Sequence, residues 1–343
     1  MEAKRRCDFK EQAQELVSAY GDDPGRLSSE FQSLAAQAQR SGDPPTEALQ
    51  FFPYFHGLLQ IQKGTEFLGL DSGFPLLNQV TNGLDTGLSV VAAAPSNGKT
   101  TLAFQMCQQV AEINKVPVLF VSLEQSANEL RTKTLARLAK IDSRHIARGR
   151  LRSDNPDHMA QLQRAAECYF NIGRYLTIIE GDESTTIAQI GEIAAAKKAN
   201  AGATRCFIVV DYLQILPLAR ADAGRVTSAK DRVDLHVSSL RRMARRLDSP
   251  VLVISAENRQ GYEAKRLDVF KEAGVIEYSA DIAAVMTTDQ EATRAAAGKH
   301  RVIDFNIVKN RNGKLASVKF KFYPERAEFI EIEKRLFTAG QGE

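Results

Sequence analysis

The sequence predicts a doubly wound α/β fold, in which a mostly parallel sheet lies between layers of helices. Three observations lead to this prediction. Short apolar segments alternate with amphipathic ones, a glycine-containing turn follows the first apolar segment, and three segments of alternating polarity close the chain. With 343 residues, 43% of them hydrophobic and 25% charged, the chain can bury a large core.

The chain divides by composition into three parts. Residues 1–63 are helical in pattern, broken by the turn signals GDDPG and SGDPP, and form a predicted N-terminal extension. Residues 64–335 form the α/β domain, and residues 336–343 a flexible tail. The N-terminus is polar rather than a secretory signal, and no apolar run reaches the length of a bilayer span. Four scattered cysteines indicate reduced thiols. We therefore expect a cytoplasmic protein with no membrane partner.

Five short apolar runs are predicted as buried parallel strands, because strands covered on both faces carry no polar alternation. They are LSVVAAA (88–94), PVLFVS (117–122), YLTIIE (175–180), CFIVVD (206–211) and PVLVIS (250–255). Between them, Ser126 and Glu129 form a capping box that begins one helix, and an apolar stripe from Ile187 to Ala194 marks another. RVIDFNIVKN, ASVKFKFY and AEFIEIE are predicted as antiparallel strands at one edge of the sheet.

The stretch VVAAAPSNGKTTL (90–102) has the form of a phosphate-binding loop between a strand and a helix. In such a loop backbone N–H groups converge on a phosphate at the helix N-terminus. The predicted nucleotide-binding residues are Ser96, Asn97, Gly98, Lys99, Thr100 and Thr101. Lys99 is placed to reach the phosphates, and the Thr100 hydroxyl to bind Mg²⁺. The glycine that usually opens the loop is replaced by Ala93, a compact residue. ATP and Mg²⁺ are the predicted cofactors.

Two carboxylates follow other predicted strands. Asp211 ends the strand FIVVD and is predicted to hold Mg²⁺ through water, although a strand-terminal aspartate also serves as a cap or turn residue. Glu124 follows the strand VLFVS and is predicted to orient the attacking water. We expect this strand to lie next to the phosphate-loop strand. The alternative for Glu124 is an exposed carboxylate near a helix start. Together these residues predict an ATPase.

Five ordered segments resemble the C-terminal motor domain of the DnaB family of replicative helicases, which has a RecA-like P-loop ATPase fold. They are AAAPSNGKT, VLFVSLEQS, VVDYLQIL, EAGVIEYSAD and VKNRNG, and the likeness runs from about Leu68 to about Phe329. The resemblance implies an ATP-dependent DNA helicase that moves 5′→3′ on single-stranded DNA in replication. It also implies a nucleoid-associated homo-oligomer, usually a hexameric ring, with a primase, loader or initiator as candidate partners.

The resemblance also implies roles for individual residues. Glu124 becomes the catalytic base, and Lys309 and Arg311 match a basic pair that reaches the γ-phosphate of the adjacent subunit. Alternate positions on one strand would place that pair on one face, which also suits a solvated hairpin tip. Two stretches, one after Leu216 and one after Ser255, match loops of the DNA channel. The implied DNA-binding residues are Arg259, Lys271, Glu272 and Gly274.

Two departures from the family bear on function. Ala256 stands where the family has a glutamine that senses the γ-phosphate, and residues 1–63 are too few for the family's N-terminal collar. The short motor favours a phage, plasmid or mobile element. Both departures also favour a second function, an ATPase switch or loader that does not unwind DNA. A RecA- or KaiC-like ATPase is a third candidate, against which DYLQIL and KNRNG argue.

One basic cluster is not assigned to DNA. The segment LRRMARRL carries an apolar stripe at helical spacing, so its arginines are interpreted as the solvated side of a helix. The stripe consists of Leu240, Met243, Ala244 and Leu247, and the arginines are Arg241, Arg242, Arg245 and Arg246.

Overall fold

The computed structural model describes residues 67–149, 157–219, 226–256 and 274–336, together with Gly224 and scattered positions between 15 and 34. The chain divides into two compact units, residues 1–68 and residues 69–343. The described positions of the first unit between 15 and 34 are helical except for Asp23. None of the helices in the described ranges is long and apolar enough to cross a membrane.

The second unit contains a sheet of nine described strands flanked by helices. The strands are β1 Gly87–Ala93, β2 Val118–Ser122, β3 Leu176–Glu180, β4 Phe207–Asp211, β5 Pro250–Ala256, β6 Ile282–Thr288, β7 Arg301–Asn310, β8 Ala316–Tyr323 and β9 Glu328–Leu336. The helices are α1 Pro75–Thr81, α2 Lys99–Asn114, α3 Ala127–Ala139, α4 Ser143–Ala147, α5 Asp157–Gly173, α6 Ile187–Asn200, α7 Ala229–Leu247, α8 Gly274–Ser279 and α9 Gln290–Ala295.

The strand order is β3-β2-β4-β5-β1-β6-β7-β8-β9. The first six strands run parallel, and β7, β8 and β9 are antiparallel. This confirms the predicted α/β fold with antiparallel strands at one edge. Successive residues of β1 enter two different cores: Val91 and Ala93 pack with α2, and Val90 and Ala92 pack with α6 and α7. Burial on both faces explains why the parallel strands read as continuous apolar runs.

The order of the strands corrects one expectation. β2 was predicted beside the phosphate-loop strand β1, and this is wrong, because β4 and β5 lie between them. The chain crosses over these two positions after α2 and fills them later. A second difference is β6, the segment IAAVMTT, which the sequence pattern did not single out. Its alanines and threonines give a weaker strand signal than the valine- and isoleucine-rich runs.

The predicted helices begin and pack as expected. Ser126 and Glu129 form the capping box at the start of α3. In α6, Ile190 and Ala194 are buried, and in α7 the predicted apolar stripe is buried. One correction concerns Arg241 on α7, which is not solvated: its side chain is only 20% exposed and lies near Asp281. The other three arginines of that cluster are exposed.

Helix α1 depends on a distant strand for its N-terminal cap. Its N-cap residue, Phe74, has no acceptor side chain. The carboxylate of Glu331 on β9 accepts hydrogen bonds from the N–H groups of Leu76 (2.9 Å) and Leu77 (2.8 Å). Burial raises the pKa of Glu331, and these two hydrogen bonds act in the opposite direction. The cap therefore joins the last described strand to the first described helix of the second unit.

Candidate functional site

The loop between β1 and α2 has the backbone of a phosphate-binding turn. Ser96 and Gly98 both adopt positive φ angles, 67° and 83°. A Cβ atom at position 98 would lie 2.8 Å from the ring of Phe329 and 3.0 Å from that of Phe322. Gly98 is therefore required both by its conformation and by the aromatic side chains packed beneath it.

The loop is fixed from both sides. The Asn97 amide donates to the Met286 carbonyl (3.4 Å) and accepts from the Thr288 hydroxyl (3.0 Å), so it is anchored to β6. The Arg301 guanidinium donates to the Ser96 carbonyl (2.9 Å). The side chain of Asn97 thus stabilises the loop from the β6 side. These contacts hold the loop in its curved form before any ligand arrives.

Lys99, the first residue of α2, folds back over the loop. Its ammonium group donates to the carbonyls of Ala93 (2.6 Å) and Ala94 (3.3 Å). Ala93 is fully buried at the end of β1. The alanine in place of the usual glycine is thus accommodated within the sheet, and its carbonyl positions the lysine.

A cavity of about 650 Å³ opens over this loop. That volume lies in the range of small-molecule sites. The cavity brings together predicted residues from three separate segments: Ser96, Gly98, Lys99, Thr100 and Thr101 from the loop, with Glu124 after β2 and Asp211 at the end of β4. Glu124 reaches the cavity although β2 is not adjacent to β1, because all the parallel strands end at the same edge of the sheet.

Asp211 is the buried acid of the cavity, with only 1% of its surface exposed. Burial raises its pKa, while a hydrogen bond from the Thr100 hydroxyl and the charges of Lys99 and Lys133 act to lower it. Its Oδ2 atom has no hydrogen-bond partner among the described residues. A buried carboxylate oxygen without a partner, beside a hydroxyl, fits a hard cation such as Mg²⁺. No group of three metal-ligating side chains occurs in the described ranges, so other ligands would have to come from water and phosphate.

Sequence reasoning missed two basic residues of the cavity, Lys133 and Arg301. Lys133 on α3 donates to the Gln125 side chain (2.7 Å), and burial lowers its pKa despite the opposing charges of Glu129, Asp211 and Glu124. A signal for it existed, since a lysine three residues after the buried Leu130 interrupts the apolar face of the helix. Nothing in the sequence around Arg301 distinguishes it from other strand-initial residues.

Lys309 and Arg311 lie far from this cavity in their own chain. Asn310 pairs with Ile282, and Ile282 with Ser89, so the end of β7 lies at the start of the parallel strands. The phosphate loop follows Ala93, roughly 13 Å further along at about 3.3 Å per residue. The expected common face is wrong in detail, because β7 ends at Asn310 and Arg311 lies in the following turn.

Three of the implied DNA-binding residues, Arg259, Lys271 and Glu272, lie outside the described residues. Gly274 is the first residue of α8. The other candidate channel stretch, after Leu216, becomes helical at Ala229, where α7 begins.

Comparison with known families decides which group this cavity belongs to. A model described as the DnaB-like helicase C-terminal domain matches residues 69–331. The chain belongs to this DnaB-like family. The resemblance carried by the ordered segments is thereby confirmed. The replicative DNA helicase DnaB of Geobacillus stearothermophilus is 31% identical over 281 residues, which cover 80% of this chain and 59% of that protein. The chain thus spans less than two thirds of this DnaB relative.

Two solved structures share the fold of this DnaB-like chain. One is an isolated ATPase domain, which aligns with a TM-score of 0.72 and 24% identity, covering 83% of this chain and 98% of that one. The other is a DnaB-like replicative helicase, studied with its interactions with primase, which aligns with a TM-score of 0.72 and 23% identity, covering 97% and 77%. At these identities the comparison establishes the α/β fold of the ATPase core.

Proposed function

We propose that the chain is an ATP-driven motor of the DnaB type that moves on single-stranded DNA and unwinds duplexes. The observation that carries this proposal is the convergence of the phosphate loop, Glu124 and Asp211 in one cavity, in a chain of this family. A mobile element, plasmid or phage is its proposed setting, because the predicted extension is short. The DNA contacts of Arg259, Lys271, Glu272 and Gly274 are part of the proposal.

Each residue of the cavity has a proposed task. The loop N–H groups and Lys99 bind the phosphates, and Glu124 accepts a proton from the attacking water. Thr100 and Asp211 would hold Mg²⁺, which supplies charge neutralisation at the phosphates when bound. Lys133, whose charge acts on both Glu124 and Asp211, helps to keep these carboxylates ionised.

Lys309 and Arg311 complete the site of an adjacent subunit. Their position at the opposite edge of the sheet supports this role, since neither residue lines the cavity of its own chain. An arginine supplied in trans stabilises charge that develops during phosphoryl transfer. We therefore propose a closed homo-oligomer, with six subunits by family resemblance, and a primase, loader or initiator as a further partner.

A fork-unwinding assay combined with ATP hydrolysis tests this function. Lys99→Ala should lower hydrolysis by roughly a hundredfold or more and abolish unwinding, because the phosphates lose their main cation. Lys197→Ala removes the same charge from an exposed position on α6 and should change neither activity. The proposal fails if the wild-type chain hydrolyses ATP without unwinding a fork.

That last outcome would support the second candidate, a switch or loader controlled by ATP. A specific observation favours it. Ala256 pairs in register with Ala93, so it ends its strand beside the phosphate loop. An alanine methyl group cannot hydrogen-bond a γ-phosphate, and hydrolysis would then be uncoupled from DNA. Stimulation of ATP hydrolysis by single-stranded DNA separates the two functions.

A further inference from the structure

A cluster of charged side chains lies at the sheet edge opposite the cavity, around Asp281. Oδ2 of Asp281 accepts the Leu88 N–H (2.9 Å), and Oδ1 lies 3.4 Å from Arg241 Nη2 and 3.7 Å from Arg311 Nε. The backbone is tied at the same place: the Asp281 N–H donates to Leu88 O (2.8 Å), and the Arg311 N–H donates to Asp281 O (3.0 Å). Asp281 is thus a fixed point between β1, α7 and the hairpin after β7.

This fixed point orders an arginine that would otherwise extend from a turn. Besides facing Asp281, the Arg311 guanidinium donates to the Tyr278 carbonyl on α8. Its side chain is still 39% exposed. A long side chain that is already ordered loses less entropy when it meets a ligand. Arg311 is therefore held in place and accessible at the same time.

The charges in the cluster do not balance. Two guanidinium groups share one carboxylate, and Nε of Arg241 is buried without an acceptor among the described residues. The separations of 3.4 and 3.7 Å are long for hydrogen bonds, so Asp281 attracts both arginines without binding either tightly. A self-contained ion pair would be neutral. This cluster has a surplus of positive charge and of donors, which suits an anion arriving from outside.

The surface beside the cluster also has the composition of an interface. Tyr278, whose carbonyl contacts Arg311, has 75% of its surface exposed. Tyrosine and arginine are among the residue types that most often dominate binding at subunit contacts. The anion and the contact for the exposed ring can therefore be supplied by the same neighbour.

We infer that Asp281 and Arg241 are positioning residues that preset Arg311 for the triphosphate bound to an adjacent copy of the chain. Arg241 keeps the carboxylate of Asp281 in register, and Asp281 orients Arg311 from its own side. This inference rests on the trans role of Arg311 given under the proposed function. Neither Asp281 nor Arg241 touches the nucleotide.

The first test compares ATP turnover of Asp281→Asn, Arg311→Ala and the double variant. Asparagine keeps an acceptor for the Leu88 N–H and removes the charge that attracts Arg311. We expect Asp281→Asn to lower kcat by about tenfold with KM nearly unchanged, since misplacing a catalytic group has effects of this order. In the Arg311→Ala background the same substitution should change kcat less than about twofold. A melting temperature close to that of the wild type shows that the fold is intact.

Other results overturn the inference in distinguishable ways. If Arg311→Ala lowers kcat and Asp281→Asn does not, the positioning role is wrong and the trans role stands. A tenfold loss that persists in the Arg311→Ala background also refutes positioning. If Arg311→Ala leaves kcat unchanged, the trans role itself fails. Arg241→Gln serves as a second variant should Asp281→Asn not fold, and Arg242→Gln, on the exposed side of α7, is the matched control.

A mixed assembly shows in which subunit Asp281 acts. A tagged chain carrying Lys99→Ala is co-expressed with wild type and the mixture is purified through the tag, so that every assembly contains inactive sites. Adding Asp281→Asn to the tagged chain should lower turnover further, because the remaining active sites receive their arginine from that chain. Equal turnover of the two mixtures would place the effect of Asp281 within its own site and overturn the inference.

Discussion

Asp211 shows how a single buried carboxylate serves a site and costs stability. Desolvation raises its pKa, and the hydrogen bond from Thr100 offsets this only in part. The folded chain therefore holds the Asp211 proton more tightly than the unfolded chain does. Stability from this group is greatest below the unfolded pKa and is lost as pH rises through the folded one. At neutral pH the charged form is present in the cavity and available to a cation.

Asp211→Asn should therefore stabilise the ligand-free chain above neutral pH, by about 1 kcal/mol. The gain should disappear in acid, where both side chains are uncharged. Urea unfolding at alkaline and acidic pH measures the difference. The same variant should lose the rise in melting temperature that Mg²⁺ with ATP gives the wild type.

Asp182 provides a control of opposite sign. Hydrogen bonds from Ser184 and Thr185 lower the pKa of Asp182, so Asp182→Asn should not stabilise the chain at alkaline pH. Stabilisation by both substitutions would mean that burial of Asp211 is not the cause.

Residue-level prediction succeeded where chemistry is written in contiguous sequence. The loop from Ser96 to Thr101 lies between strand and helix as predicted, because strand, glycine turn and helix follow one another in the chain. Lys133 and Arg301 were missed because their contribution depends on where α3 and β7 lie in the fold. The environment of Arg241 was missed for the same reason, since Asp281 is forty residues away along the chain.

At the scale of elements, helix α1 and strand β9 stabilise each other. The Glu331 carboxylate satisfies two N–H groups that the helix cannot satisfy itself. A side chain that caps a helix from another element acts as a clamp between them. The antiparallel edge of the sheet is thus tied back to the start of the second unit.

Glu331→Ala should lower the free energy of unfolding by about 1–2 kcal/mol, because the N–H groups of Leu76 and Leu77 lose their acceptors. Chemical denaturation measures the change. Glu192→Ala removes a carboxylate from an exposed position on α6 and should have little effect. Equal, small effects of both substitutions would show that water replaces the cap without cost.

Element types followed from sequence more readily than element neighbours. Five parallel strands and three antiparallel ones were predicted from apolar runs and alternation, and each is present. The neighbours of β2 were not, because strand order depends on how crossovers pack and leaves no local pattern. β6 was overlooked because alanine-rich segments carry little strand propensity even when every neighbour buries them.

At the scale of the whole molecule, the sheet separates two functional edges. One edge carries the cavity, and the other carries Arg311 with Asp281 and Tyr278. A chain built this way cannot supply Arg311 to its own cavity. Activity should therefore depend on assembly.

Mass photometry of the wild-type chain tests this dependence. With ATP, Mg²⁺ and a short single-stranded oligonucleotide, a closed multimer should appear, with six subunits as the expected number. ATP turnover per chain should rise with protein concentration over the range in which the multimer forms. Full turnover at concentrations where only monomers are present would contradict the proposal.

The separation of the two edges also restricts symmetry. A two-fold pair brings the same patch of each partner together, which suits a cavity and an arginine on one side of a molecule rather than on opposite sides. Head-to-tail stacking leaves one vacant cavity and one idle arginine at the ends of any open row. Only a row that returns to its first member uses all of them, so closure itself raises the fraction of working sites.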